Sequence, residues 1–313
     1  MPERGNLSNS VMVLNTNKIL PTSLPTNNLC LNAIGVHSGS SKKEYIKGHV
    51  TDGATSVTIK INNADVTVPV GADGWFEWVK PKDFVALTFK DCFNNKTNID
   101  KLTVFLPKTK PTANDSMYQM FTRLENCREL NVIVDSSLCK DFSNCFAYCR
   151  NIPNNSGINI NTDNAQILYG LHYANTNTTL IDLRKYSFDS VKTTGAYYGI
   201  VNILTWCQGL TTLKLGDALS AKNTYANDNA FNQLTALKNI EDCGEIKMSA
   251  SFPVSNQLTE QSVVNLFNAV QADDITLTFH PTVFAMIEQQ LEVEGSPIYE
   301  AYWNNEHEFN YAS

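Results

Sequence analysis

From about Leu29 to Lys80 the chain alternates apolar and polar residues with period two. In TSVTIKINNADVTVPVGADGWFEWVKP, Val57, Ile59 and Ile61 fall on one face and Thr58, Lys60 and Asn62 on the other, the pattern of half-buried strands. Asn62-Asn63 and Ala72-Asp73-Gly74 interrupt it with turn chemistry before the aromatic run Trp75-Phe76-Glu77-Trp78, so the stretch predicts a small antiparallel unit. Upstream, ILPTSLPTNN carries two prolines in a short space, which argues against a helix or a central strand. A segment so poor in apolar groups does not fold alone, and over residues 1–29 an extended arm is expected, ordered by docking on another subunit.

Beyond Lys80 the period changes and the chain begins to repeat itself. CFNNKTNIDKLTV, CRELNVIV, CQGLTTLKL and LTALKNI each set a cysteine or leucine ahead of a short period-two run. Phe or Leu precedes each by three to six residues: Phe89 before Cys92, Phe121 and Leu124 before Cys127, Leu204 before Cys207, Phe231 and Leu234 before Leu237. A helical turn or two followed by a short strand is the layout of a leucine-rich repeat coil. In this register the repeat core is Phe121, Cys127, Leu130, Phe142, Cys149, Ile152, Ile181, Leu183, Cys207, Leu210 and Leu213. The interval between equivalent positions (Leu102, Leu130, Ile152, Ile181, Leu213, Ile240, Ile275) runs from about 22 to 35 residues, as when insertions map to loops on one face of a solenoid. The expected fold class is α+β, mainly β. It comprises the arm over 1–29, a small β-sandwich-like domain over 30–80, an irregular leucine-rich repeat solenoid over 81–257, and a C-terminal capping helix and tail over 258–313.

TTLIDLRKYSFDSV (Thr178 to Val191), followed by ILTWCQGLTTLKL (Ile203 to Leu215), resembles the BspA-type leucine-rich repeats. Ile181-Asp182-Leu183, Phe188-Asp189-Ser190 and Val191 match that family's strand half, and SMYQMFTRLENCRELNVIV matches its Met-Phe and Cys-x-x-Leu half. LTEQSVVNLFNAVQADDITLTFHPTVFAMI is similar to the helix and strand that close such arrays in gut bacteria and their phages. The resemblance spans about residues 50 to 290; several coils lack the Leu-Asp-Leu core, and GAYYGIVN is an insertion relative to the consensus. It implies a virion, tail-fibre-like or adhesive component and carries no family active site.

Charge and candidate chemistry narrow the function. With 24 Lys and Arg against 31 Asp and Glu, a formal charge of −7, no basic face is available to neutralise phosphates, so nucleic acid is not an expected partner. The opening MPERGNLSNSVMVLN has no cationic region leading into an apolar run, and nowhere does an apolar run reach the length of a membrane span. A cytosolic origin is therefore expected, with the eight cysteines as thiols. Cys139, Cys145, Cys149 and His172 invite a zinc reading, but no second paired motif follows; small buried residues at a repeat turn explain these cysteines more simply. Cys207 with His172 suggests a nucleophile and base, without an orienting motif. No cofactor or metal is expected.

The acids Glu288, Glu292, Glu294, Glu300, Glu306 and Glu308 crowd the C-terminus. A facing pair would suit glycoside cleavage, though their order reads first as a solvated helix face and tail. Interleaved with them, Tyr299, Tyr302, Trp303, Phe309 and Tyr311 suggest a docking or oligomer contact. Tyr173, Tyr197 and Tyr198, among Asn and Thr, suggest a carbohydrate surface or packing between coils. The expected function is a non-enzymatic phage virion protein, made in the host cytoplasm and homo-oligomeric. Its arm would join other virion subunits while the repeats bind a host-surface glycan or protein. A glycan-degrading tail enzyme and a bacterial surface adhesin are the alternatives.

Overall fold

The computed structural model describes residues 43–192, 199–220 and 229–313; the arm expected over 1–29 lies outside them. Strand β1 (Tyr45–Val50) turns Ile46, Gly48 and Val50 inward. It pairs antiparallel with β4 (Trp75–Val79) on one side and with β5 (Ile99–Leu106) on the other. Strand β5 then opens a parallel series with β6 (Glu129–Val134) and β7 (Ile158–Ile160). Strands β1 and β4 thus join the sheet that the solenoid strands continue. Few strands cannot bury a core by themselves, and the free edge of β5 offers them a ladder.

Strands β2 (Ser56–Ile61) and β3 (Ala64–Pro69) form a hairpin. Its two-residue loop, Asn62-Asn63, has φ of 53° and 61°, the geometry that matches strand twist and that Asn tolerates best after Gly. The hairpin also closes the first coil. Lys60 N–H donates to the Cys92 carbonyl and Asn62 N–H to that of Thr88. The Asn62 amide accepts from Leu87 and Thr88 N–H at 2.6 and 3.2 Å and donates to the Val85 carbonyl at 2.9 Å. Asn62→Ala is expected to cost about 2 kcal/mol or more, combining lost hydrogen bonds with left-handed strain. Asn62→Gly should recover the strain alone, and denaturant titration of the pair separates the two terms.

Parallel strands β8 (Leu180–Asp182), β9 (Thr212–Gly216) and β10 (Asn239–Cys243) continue the wall. Among the described residues the fold is a mainly β solenoid of about six turns with three helices. Opposite the strands the sequence predicts helical turns, and the structure has consecutive tight turns instead. Within a coil, Cys92, Asn94 and Lys96 N–H donate three residues back, to Phe89, Asp91 and Phe93. The intervening Phe89, Asp91, Phe93 and Asn95 N–H groups donate to Ser116, Tyr118, Met120 and Thr122 of the next coil. The pattern recurs in later coils, as in Phe142, Asn144, Phe146 and Tyr148 onto Ile167, Tyr169, Leu171 and Tyr173. Half the amides therefore serve the neighbouring coil, which an α-helix would not allow. Two residues per coil turn left-handed: Asp91 and Asn95, Gln119 and Arg123, Asn144 and Tyr148, Gly170 and Ala174, Asn202 and Trp206, with φ between 50° and 67°.

Inside, Phe93, Phe121, Phe146 and His172 stack one per coil, with ring centroids 5.5, 5.2 and 5.4 Å apart and planes within 16° of parallel. The eleven repeat-core residues named above are buried, but the cysteines do not share one register. Cys149 and Cys207 follow the ladder residue by three; their thiols donate to the carbonyls of Phe121 and His172, one ladder position back, at 3.1 and 3.0 Å. Cys127 lies three residues further on, where its amide bonds to Leu124 just as Ile152 bonds to Cys149 and Leu210 to Cys207. A small apolar side chain with a weak donor suits a site facing a buried carbonyl.

The far end closes with β11 (Ala250–Phe252), helix α1 (Glu260–Ala269), β12 (Thr276–Phe279), α2 (Pro281–Leu291), α3 (Pro297–Trp303) and β13 (Asn310–Ala312). Thr259 caps α1 through Ser262 N–H. The helix covers the open edge of β10: Ser262 Oγ accepts from Ile240 N–H at 2.9 Å, and Asn265 donates to the Ile240 carbonyl at 2.8 Å. An edge so covered offers no template for another strand. Among the described residues no helix is long and apolar enough to cross a membrane.

Candidate ligand-binding groove

At left-handed corners Arg123 is exposed and Tyr148 half-buried, and coil stacking sets such side chains in rows along the solenoid. Arg123 and Tyr148 each follow their ladder phenylalanine by two residues, and the Arg123 N–H bonds to the Ala147 carbonyl beside Tyr148. Coils bonded in this way repeat at about 4.8 Å, so side chains distant in sequence meet. Asn94, Asn95, Gln119, Thr122, Arg123, Asn144, Tyr148, Tyr169 and Tyr173 line an open groove of about 570 Å³.

The Tyr148 and Tyr173 rings meet edge-on at 5.4 Å. Burial, then the neighbouring Tyr148, raises the Tyr173 phenol above its ordinary value, so that ring stays a neutral hydrogen-bonding group at physiological pH. Arg123 lies 5.3 Å and Arg150 5.9 Å from the centre of the Tyr148 ring, within cation–π range. Asn202 donates to the Tyr169 hydroxyl at 3.1 Å, and Asn94 bridges Asp91 and Gln119 at 3.2 Å each. A Cβ at Gly170 would clash with the carboxamide of the lining residue Asn144.

Of the aromatic residues expected at interfaces, Tyr173 is in this groove. Tyr197 and Tyr198 lie outside the described residues. Phe309 is buried, and it and Tyr302 pack on Phe267 of α1 at 5.1 and 5.7 Å; they build the cap's own core. Tyr299 and Trp303 pair at 6.2 Å, with Trp303 62% exposed. Tyr148, Tyr169 and Arg123 escape a reading by composition. For Arg123 and Tyr148 the signal is a constant offset of two from Phe121 and Phe146, visible only once the ladder register is known.

The groove's lining includes no Asp, Glu, Cys or His. Among the described residues no group of three or more His, Cys, Asp or Glu is placed to hold a metal ion. Burial pushes the thiols of Cys139 and Cys207 up to about 12, and it holds the His172 imidazole near 3. Cys207 and His172 are thus a protonated thiol and a very weak base. Compared with protein-family models, curated proteins and solved structures, the chain has no significant match.

Proposed function

We propose that the protein is a non-catalytic recognition module whose solenoid takes a saccharide in the Tyr148–Tyr173 groove. The observation that carries this reading is the lining itself: three tyrosine rings among carboxamides, a hydroxyl and an arginine. Rings pack against the apolar faces of sugars, while amides and hydroxyls bond their equatorial oxygens. Glycan hydrolysis needs a facing carboxylate pair, and the lining supplies no carboxylate. Coils made of one strand and one chain of turns support a leucine-rich repeat of irregular type. The resemblance to BspA-type repeats supplies the setting, a phage virion component with residues 1–29 as its tether. Several copies on one particle would multiply a weak contact.

An array of neutral and acidic glycans probed with the full chain tests this reading. Tyr148→Ala and Tyr173→Ala should each cost about 2 kcal/mol, roughly 30-fold in affinity, with unfolding midpoints near that of the parent. Glycan binding unaltered by both substitutions would remove the groove from the function.

A further inference from the structure

The arginines beside Tyr148 are placed unlike Arg184. Arg184, on the strand wall, is neutralised by Asp182 at 2.9 Å and Asp242 at 2.8 Å. Lys80 and Lys90 likewise bond Glu44 and Asp115 at 2.7 Å. By contrast, among the described residues neither Arg123 nor Arg150 has a carboxylate partner; both guanidinium groups lie by the Tyr148 ring instead. In a chain with 31 acids against 24 bases, the Arg123 guanidinium lines a groove without a carboxylate in its lining, and Arg150 lies beside the same Tyr148 ring. Asp91, which accepts from the lining residue Asn94, is the acid bonded at its margin. A guanidinium resting on a ring keeps its in-plane N–H donors free, and those donors match the two oxygens of a carboxylate or sulfate.

We infer that the saccharide is anionic, its carboxylate or sulfate held by Arg123 and Arg150 while a sugar ring packs on Tyr148 and Tyr173. This inference rests on the saccharide reading above and names its ligand class. Because the groove spans adjacent coils, an oligosaccharide lying along the solenoid axis places one charged unit at the arginines and its neighbours over the tyrosine and amide rows.

Calorimetry of the full chain with oligogalacturonate, its carboxyl-reduced neutral form and dextran sulfate provides the test. An anionic probe should bind at least about tenfold more tightly than the neutral one, the gain expected for a charge-assisted hydrogen bond, and added salt should shrink the difference. The preferred anion tells carboxylate from sulfate. Arg123→Gln with Arg150→Gln should erase the discrimination, whereas Arg128→Gln, an exposed arginine outside the lining, should keep it. Equal binding of neutral and anionic probes, still lost in Tyr148→Ala, overturns the anionic class and leaves the saccharide reading standing. Discrimination that survives the double Arg substitution also overturns it. Binding of no probe, or binding indifferent to Tyr148→Ala, overturns both.

Discussion

Replacing Phe121 by alanine is expected to destabilise the solenoid by about 3–5 kcal/mol, measured as the shift in a denaturant midpoint. Phe121 is fully buried and is stacked on both sides, against Phe93 at 5.5 Å and Phe146 at 5.2 Å. Alanine removes the ring's transfer energy, leaves a cavity, and breaks two ring contacts worth about 0.5–1.5 kcal/mol each. Since coils touch mainly their neighbours, the loss falls on one interface, and unfolding should broaden or split as the two halves uncouple. Phe121→Leu should cost less, about 1–3 kcal/mol, because it loses the two ring contacts but fills most of the space; Leu204 holds the same ladder position two coils beyond Phe146, its amide bonding to the next coil as Phe121's does. Equal losses for the two variants would show that side-chain volume at this position contributes little beyond the ring contacts.

The second large effect is a pH dependence. His172 ends the phenylalanine stack, with Nε2 2.8 Å from the Tyr186 hydroxyl and Nδ1 3.5 Å from the Asn175 amide. Burial first, and the Lys185 charge second, lower its pKa from 6.5 to about 3. Below pH 6.5 the unfolded chain binds a proton that the folded chain refuses, so this residue makes stability fall as the pH drops from 6.5 towards 3. The slope approaches about 1.4 kcal/mol per pH unit and levels off below the folded value. Carboxylates titrate in the same range, so the readout is a difference: His172→Phe should remove this slope while continuing the ring stack. It leaves Tyr186 and Asn175 short of a partner, a loss of about 1–3 kcal/mol at neutral pH. Its deficit relative to the parent should therefore shrink, then reverse, on acidification. Parallel profiles for parent and variant between pH 6.5 and 3 would show that His172 takes up its proton in both states.

Much of this architecture is legible in the residues. Period-two runs mark β2, β3 and the solenoid strands, Asn62-Asn63 announces its turn, and LTEQSVVNLFNAV contains α1. Two things mislead. Apolar residues at spacings of three and four suit a helix, yet a chain of tight turns buries residues at those spacings just as well, and only the partner of each N–H distinguishes them. The left-handed corners at Arg123, Tyr148 and Trp206 break local preference, because bonds to the next coil outweigh a strain of about 1–2 kcal/mol per residue. Tyr173 is readable as part of an aromatic cluster. Its partners Tyr148 and Arg123 come from earlier coils, and no local window contains all of them.

On the turn wall, from the coil of Phe89 through that of Leu204, the N–H groups bonded between coils point from the earlier coil to the later one. Each interior coil therefore meets its predecessor and its successor through the same two complementary surfaces. Adding or removing a whole coil leaves the backbone hydrogen-bond pattern between turns unchanged, whereas the hairpin of Asn62 and helix α1 each fit one end only. Length in such a protein is adjustable between two fixed ends, and with it the number of rows a ligand can occupy.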